Sequence, residues 1–194
     1  MKTLTIFTLI AAVLFSGCAL APHKPVAIKP ELSVTESTIG QNQKIWINVS
    51  DERPRPTLGT RGISGIGSEI SIEGQLSLAL RNSLTDGLRR LGFSPIDNRI
   101  SDARELRVEV RNLDYTVMAG FWTGTLRTEC ILKGFCVVGE TRPYENIYHG
   151  EYQETIVFYK SEEDNERYIN SAVSQAVNAL LADPQMIRWL ATGK

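Results

Sequence analysis

Beyond residue 43 the hydrophobic positions change period several times along the chain. Residues 44–50 (KIWINVS) are rich in β-branched and aromatic side chains, which predicts a first strand. A run of leucines at steps of four and three then predicts a helix from Ile72 to Leu91 with one buried face. Ser71 is the expected N-cap of this helix, and Gly92 is the residue suited to a left-handed turn after it.

Three longer β segments are predicted next, at 106–117, 126–138 and 144–159. The apolar phase of the first one shifts at Asn112, and a β-bulge is the simplest explanation. In the third, four large apolar residues share one parity and predict a single buried face: Tyr148, Tyr152, Ile156 and Phe158.

The C-terminal part is predicted to be helical. Ser161 and Asp164 resemble a capping box, and an apolar stripe continues to Leu181. Asp183-Pro184 ends that helix and begins a short last one. The order β-α-β-β-β-α predicts an α+β fold, a two-layer sandwich with a mostly antiparallel sheet and two helices packed on one face.

The first 17 residues form a secretory signal, with Lys2 followed by an apolar run that is too short to span a bilayer. Its end, Leu14-Phe15-Ser16-Gly17-Cys18, resembles a bacterial lipobox and predicts lipidation of Cys18; the alternative is an ordinary signal peptide whose cysteine is incidental. We therefore expect a signal peptide at 1–17, a lipidated N-terminus and flexible tether at 18–43, and one periplasmic domain at 44–194. Ala19, in place of an aspartate, favours the periplasmic side of the outer membrane.

Composition narrows the classes of partner. The 42% hydrophobic content is that of an ordinary globular domain, and the formal net charge of −1 argues against a nucleic-acid partner. The two histidines, His23 and His149, have no second ligand at metal-binding spacing, so we expect no metal and no cofactor.

Residues 51–68 (DERPRPTLGTRGISGIGS) combine arginines with four glycines ahead of a predicted helix. The segment has no lysine, which excludes a Walker-type phosphate loop. Two interpretations remain. The loop is a flexible crossover, or its arginines, Arg53, Arg55 and Arg61, bind an anion or a partner, such as phosphate or carboxylate groups of envelope lipids or peptidoglycan. Asp51 can instead pair with one of them.

Cys130 and Cys136 admit two arrangements. A three-residue hairpin loop at 132–134 would place the cysteines opposite each other, within reach of a disulfide. A single strand through Val138 would leave them on one face about 20 Å apart, unable to bond.

Strand alternation places His149 and Glu151 on one face of the last strand and Glu154 on the other, so they do not form a ready acid/base pair. A solvated outer face is the expectation there. The tryptophans, Trp46, Trp122 and Trp189, are expected in the core or at a sheet edge.

Several of these features together resemble the YajG family of bacterial lipoproteins: the lipobox, Asp51-x-Arg53-Pro54, Leu58-Gly59, and the helix ending Leu91-Gly92-Phe93. The resemblance implies no enzymatic activity. It implies an architecture similar to other envelope lipoproteins, including auxiliary lipoproteins of lipid-transport machines.

We therefore expect a lipid-anchored envelope protein, not an enzyme, with a binding or accessory role. Its expected partners are the membrane, through Cys18, and an envelope protein complex or a lipid or peptidoglycan ligand. Two alternatives stay open: an auxiliary subunit of a lipid-transport or outer-membrane assembly complex, and a hydrolase acting on envelope polymers.

Overall fold

A computed structural model describes residues 22–62, 67–101, 103–120, 122–157 and 160–194. The predicted signal peptide, Cys18 and Phe158 lie outside these ranges. The described residues form seven strands and three helices, which confirms the α+β class: β1 Lys44–Asp51, β2 Gly59–Thr60, β3 Glu69–Ile70, α1 Leu76–Arg90, β4 Ser94–Ile96, β5 Arg104–Ala119, β6 Gly124–Val138, β7 Thr141–Ile156, α2 Glu162–Leu181 and α3 Pro184–Thr192.

The strands build one curled, mixed sheet. β5, β6 and β7 form an antiparallel meander, while β1 runs parallel to the first half of β5 and β4 runs parallel to β1. β2 meets β5 at Tyr115 and pairs antiparallel with β3. Sequence reasoning missed β2, β3 and β4, because strands of two or three residues carry no readable hydrophobic period.

The bulge predicted at Asn112 is confirmed. Val110 pairs with Leu132 and Asn112 pairs with Ile131, so Arg111 is the extra residue of β5. The bulge keeps the apolar side chains before and after it on the same face of the sheet.

The core lies between that face and the helices. Gly87 of α1 packs against Leu181 of α2, and a Cβ at Gly87 would come within 2.3 Å of the leucine Cδ1. Gly150 of β7 lies directly under the backbone of α2, where a Cβ would meet the carbonyl oxygen of Ala172 at 1.9 Å. The sheet and the helices contribute alternating and periodic side chains to this core: Ile45, Ile47, Leu80, Leu84, Leu106, Val108, Leu132, Ile169, Val173 and Leu180.

The predicted helix starts are right for the C-terminal helices and wrong for α1. The Ser161 side chain accepts from the Asp164 amide, and Asp183 caps α3 by accepting from the Gln185 and Met186 amides. By contrast, α1 begins at Leu76, and its N-cap Gln75 makes no side-chain capping bond. The carbonyl of Ser71 instead accepts from the Val26 amide, in a short parallel bridge to the N-terminal segment.

The prediction of a flexible tether through residue 43 is wrong for residues 23–43. The N-terminal segment (residues 23–34) lies along α2, and Val26 and Ile28 are buried in the core. Residues 37–43 then bond to the end of α1, where the Ser37 amide donates to the Arg90 carbonyl and the Asn42 amide to that of Gly92. The prolines and polar residues of this segment are typical of a flexible tether, and the groups that hold it lie far away in the sequence. The local sequence therefore gave no sign that the segment is packed.

Those groups are side chains of α2 at every fourth position. The segment's amides at 24, 27, 29, 31 and 33 donate in order to Glu162, Glu166, Asn170, Ser174 and Asn178. From residue 27 onward the segment advances two residues for every four of the helix; four helical residues rise about 6.0 Å and two extended residues about 6.6 Å, so the two repeats stay nearly in step. The side chains of the helix thereby accept the backbone hydrogen bonds of an extended chain, as the carbonyls of a neighbouring strand would.

Candidate functional site: the arginine loop and the outward sheet face

Arg53 is folded onto Asp51 and does not extend into solvent. Its Nε and Nη2 each donate to a separate carboxylate oxygen of Asp51 at 2.8 Å, and its side chain is only 5% exposed. The hydrogen bond from Arg53 is the largest influence that lowers the pKa of Asp51, and it outweighs the opposing effect of burial. Nη1 is buried and has no hydrogen-bond partner among the described residues.

The other two arginines of the loop are not gathered around Arg53. Nη2 of Arg61 donates to the carbonyl of Lys160 at 2.8 Å, which ties the loop to the residue before the α2 N-cap. Arg55 is exposed. Residues 63–66 of the glycine-rich stretch lie outside the described ranges, so the part of the predicted anion site that the structure describes offers one exposed arginine.

Cys130 and Cys136 are free thiols on one continuous strand, β6. Of the two arrangements left open by the sequence, the structure has the single continuous strand, with the two cysteines on one face, separated along β6 and not bonded. Both thiols are buried under the helices, and this burial raises the pKa of each to about 12. A thiol with such a pKa is almost entirely protonated at neutral pH and is a poor nucleophile.

The outward face of β5, β6 and β7, opposite the helices, carries a connected polar cluster. Nε2 of His149 donates to Glu129 at 2.7 Å, and Nη2 of Arg127 donates to the same carboxylate at 3.0 Å. Nδ2 of Asn112 bridges Glu129 and Asp114, at 3.0 and 3.1 Å. With Glu151, which lies 2.7 Å from Nε of Arg127, these residues form what we call the Glu129 cluster.

The pKa values of two carboxyl groups in the cluster are shifted in opposite directions. The hydrogen bond from His149 is the main cause of the lowered pKa of Glu129. Burial is the main cause of the raised pKa of Asp114, and the negative charge of Glu129 adds to it. Separated carboxyl pKa values are found in acid/base sites, but they also arise in structural networks.

The position of the Glu129 cluster relative to the nearby groove favours a structural network over an acid/base site. An open groove of about 1150 Å³ runs along the outer side of α2, between the N-terminal segment and β7, and most of the residues that line it are of polar or charged types. Of the six cluster residues only His149 also lines this groove. Glu129 and Asp114 lie on the strand surface outside this groove, whereas an acid/base site needs its groups around one enclosed substrate position.

Sequence reasoning found His149 and Glu151 on one face but missed Glu129, Arg127 and Asp114 as their neighbours. Alternation along β6 does place Arg127 and Glu129 on the outward face. The missing information was the register, which pairs Glu129 with Glu151 on one side and with Asp114 on the other. Of the three tryptophans, Trp46 and Trp189 are half-buried, whereas Trp122 is 84% exposed in the β5–β6 loop, contrary to expectation.

A family model described as an uncharacterised lipoprotein, Lipoprotein_16, matches residues 30–191. The chain belongs to this lipoprotein family. The match starts within the packed N-terminal segment, consistent with its place in the fold, and membership supports a lipid-anchored protein of the cell envelope. No helix among the described residues is long and apolar enough to cross a bilayer.

Solved structures share the fold. A Xanthomonas campestris protein of the DUF330 family is 13% identical, with 88% of this chain and 99% of that one covered and a TM-score of 0.55. A homologue of the neuraminyllactose-binding haemagglutinin from Helicobacter pylori is 11% identical, with 88% and 94% covered and a TM-score of 0.50. At these identities the likeness is one of fold alone. No curated protein matches the chain.

Proposed function

We propose that this lipoprotein is anchored through Cys18 to the periplasmic side of the outer membrane and binds an envelope protein there, without catalysis. The observation that carries the proposal is the outward face of β5–β7. Its side chains form a largely charged and polar surface, and Ile147 is 61% exposed within it.

The composition of this face suits protein recognition. Ile147 lies between the His149–Glu129 pair and the ion pair of Lys133 with Glu145, in which Nζ and Oε1 are 3.0 Å apart. Protein interfaces combine apolar contacts of this kind with a polar, satisfied rim. Because the charges are already paired with one another, a partner gains mainly from apolar contact and from shape, and needs no strong opposite charge.

Catalysis is the weaker proposal for the same surface. The thiols that could serve as nucleophiles are buried on the opposite face of the sheet, and the cluster carboxylates lie outside the groove. A hydrolase needs a nucleophile with its base, or two facing carboxylates, around one enclosed substrate position. Hydrolysis of an envelope polymer by the purified protein, abolished by Glu129→Gln, would reverse this preference.

Photo-crosslinking in living cells tests the binding role. A photoreactive residue at Ile147 or Gln153, both exposed on the outward face, is expected to capture a protein that mass spectrometry can identify. Asn82, exposed on α1, provides the matched control and should capture none. Capture from Arg55 alone would move the binding site to the arginine loop, and capture from Asn82 alone would contradict the proposal.

The identity of the captured protein decides the finer role. A subunit of a lipid-transport or outer-membrane assembly complex would make this chain an auxiliary lipoprotein of that complex. The anchor is tested separately: globomycin, or Cys18→Ser, should leave an unprocessed or unlipidated form, and normal maturation of the variant would refute lipidation.

We also propose that the family match corresponds, more finely, to the YajG pattern. Its residues have structural roles that support this reading: Arg53 pairs with Asp51, and Gly59 lies so close to β5 that a Cβ would come within 2.0 Å of the Tyr115 carbonyl oxygen. Gly92 has a φ of 81°, and Phe93 is buried in the core. These roles explain the motif as a fold signature and not as a ligand site.

A further inference from the structure

We propose that the end of the sheet formed by the β5–β6 loop rests on the lipid bilayer, with Trp122, Met118 and Val157 at the membrane interface. This inference rests on the proposed lipidation of Cys18. It adds an orientation to the anchor, because it specifies which end of the domain contacts lipid.

The N-terminal segment shows where the anchor must lie. It runs alongside α2 in the same direction as the helix, with the Lys24 amide at Glu162 and the Ser33 amide at Asn178. The described chain therefore begins beside the N-terminal end of α2. That is also the end where β7 finishes, at Ile156, beside the first residue of β6, Gly124.

The position of His23 is fixed by a buried polar chain. The hydroxyl of Tyr115 donates to Oδ1 of Asn165 at 2.9 Å, and Nδ2 of Asn165 donates to Nε2 of His23 at 3.2 Å. His23 and Asn165 are both buried. The chain is therefore held to the fold at His23, and only residues 19–22 separate His23 from Cys18.

The reach of that short connection matches the distance to the loop. Five residue steps from His23 to Cys18 span at most about 18 Å when fully extended. From Tyr115, at the level of His23, β5 continues four residues to Ala119, which is about 14 Å. Lipid chains on Cys18 would therefore keep the β5–β6 end of the sheet close to the bilayer surface.

The side chains at that end are of the kind that a bilayer interface accepts. Trp122 is 84% exposed, Val157 65% and Met118 51%, and all three lie within a few residues of the Gly124–Ile156 pair. Exposed apolar groups clustered in this way mark contact surfaces, and tryptophan is enriched at the headgroup level of membranes.

Depth-dependent quenching tests the orientation. The lipidated full-length protein is reconstituted into vesicles of phosphatidylethanolamine and phosphatidylglycerol, with or without bromine on the acyl chains, and tryptophan emission is measured. The wild type minus Trp122→Phe difference reports residue 122. We expect brominated lipid to lower this difference severalfold, whereas the emission that remains in Trp122→Phe should change little. Because Trp122 is mostly exposed, the substitution leaves the core intact.

The opposite end of the same hairpin provides the matched control. Glu140 is exposed in the β6–β7 turn, at the far end of β6 from the β5–β6 loop, and the 15 residues of β6 span up to about 48 Å along the strand. Glu140→Trp in the Trp122→Phe background should show no quenching beyond that of the background itself.

A failure of lipidation and a failure of the proposed orientation give different results. Mass spectrometry of the Cys18 peptide and flotation with vesicles report lipidation directly, and their failure would overturn the anchor and the orientation together. An acylated protein in which Trp122 is unquenched, or in which residues 122 and 140 are quenched equally, would overturn the orientation alone. Capture of a protein in place of lipid by a photoreactive residue at position 122 would also overturn it.

Discussion

Arg53 and Asp51 are joined by two parallel hydrogen bonds, from Nε and Nη2 of the guanidinium to the two carboxylate oxygens, each 2.8 Å long. The arginine side chain is almost fully buried, whereas the carboxylate is about one-third exposed. The pair lies where β1 ends, so it fixes the path of the chain into the arginine loop.

Replacing Arg53 by lysine should lower the free energy of unfolding by about 1–3 kcal/mol, because an ammonium group cannot form the two-bond fork. Urea denaturation measures the change. Arg55→Lys, at an exposed position two residues later, should stay within about 0.5 kcal/mol of the wild type. Equal effects of the two substitutions would show that the pair does not stabilise the fold.

The hold of α2 on the N-terminal segment depends on Asn170 and Asn178. Each of these side-chain amides accepts from one backbone N–H of the segment and donates to one backbone carbonyl of the segment. Asn170→Ala combined with Asn178→Ala should speed amide hydrogen exchange at residues 27–33 by about tenfold or more, since each lost bond contributes about 1 kcal/mol.

Exchange followed by mass spectrometry measures this effect. Ser171→Ala provides the control and should leave the exchange rates unchanged, because Ser171 lies on the same helix but makes no hydrogen bond to the described residues of the segment. If exchange at residues 27–33 is already fast in the wild type, the segment is not held as described.

Gly150 is the point of closest approach between β7 and α2. Gly150→Ala should destabilise the protein by about 2 kcal/mol or more, because its methyl group has to displace the Ala172 backbone and not a flexible side chain. A lower thermal midpoint would confirm this, with Gln153→Ala on the exposed face of the same strand as control. An unchanged midpoint for Gly150→Ala would mean that the helix can move away without cost.

The pair of Glu154 with Lys160 should make stability depend on pH in acid. The hydrogen bond from Lys160 lowers the pKa of Glu154 to about 2, from 4.5. Since the folded pKa is the lower one, the stabilisation is present above about pH 4.5 and is lost as the pH falls toward about 2. Partial exposure limits it to about 0.5–1 kcal/mol.

Urea denaturation of the wild type and Glu154→Gln measures this dependence. The stability difference between the two proteins should shrink as the pH falls through that window. A difference that is constant with pH would show that the ionised carboxylate is not what Lys160 stabilises.

The thiols of Cys130 and Cys136 should be inert in the folded protein. Burial raises both pKa values to about 12, so iodoacetamide near neutral pH should modify neither until the protein is unfolded in urea. Reducing agent should leave the thermal midpoint unchanged, because the thiols are free. Rapid labelling of the native protein would contradict the burial of these residues.

The sequence by itself determined the features that depend on neighbours along the chain. The leucine period of α1, the capping residues Ser161 and Asp183, and the phase shift at Asn112 all act over a few residues, so their signals survive without knowledge of the fold. The lipobox pattern before Cys18 is equally local, and lipidation of Cys18 stays a prediction.

Only the tertiary structure decided the features that join distant parts of the chain. Strand alternation placed Glu129 and His149 on outward faces, but the register of β6 against β7 brought them within 2.7 Å. Local charge allowed Arg53 to pair with Asp51 or to remain free, and its burial in the folded chain selected the pair. The N-terminal segment is held by α2 side chains about 140 residues away, because two repeats of nearly equal length meet only once the chain has folded.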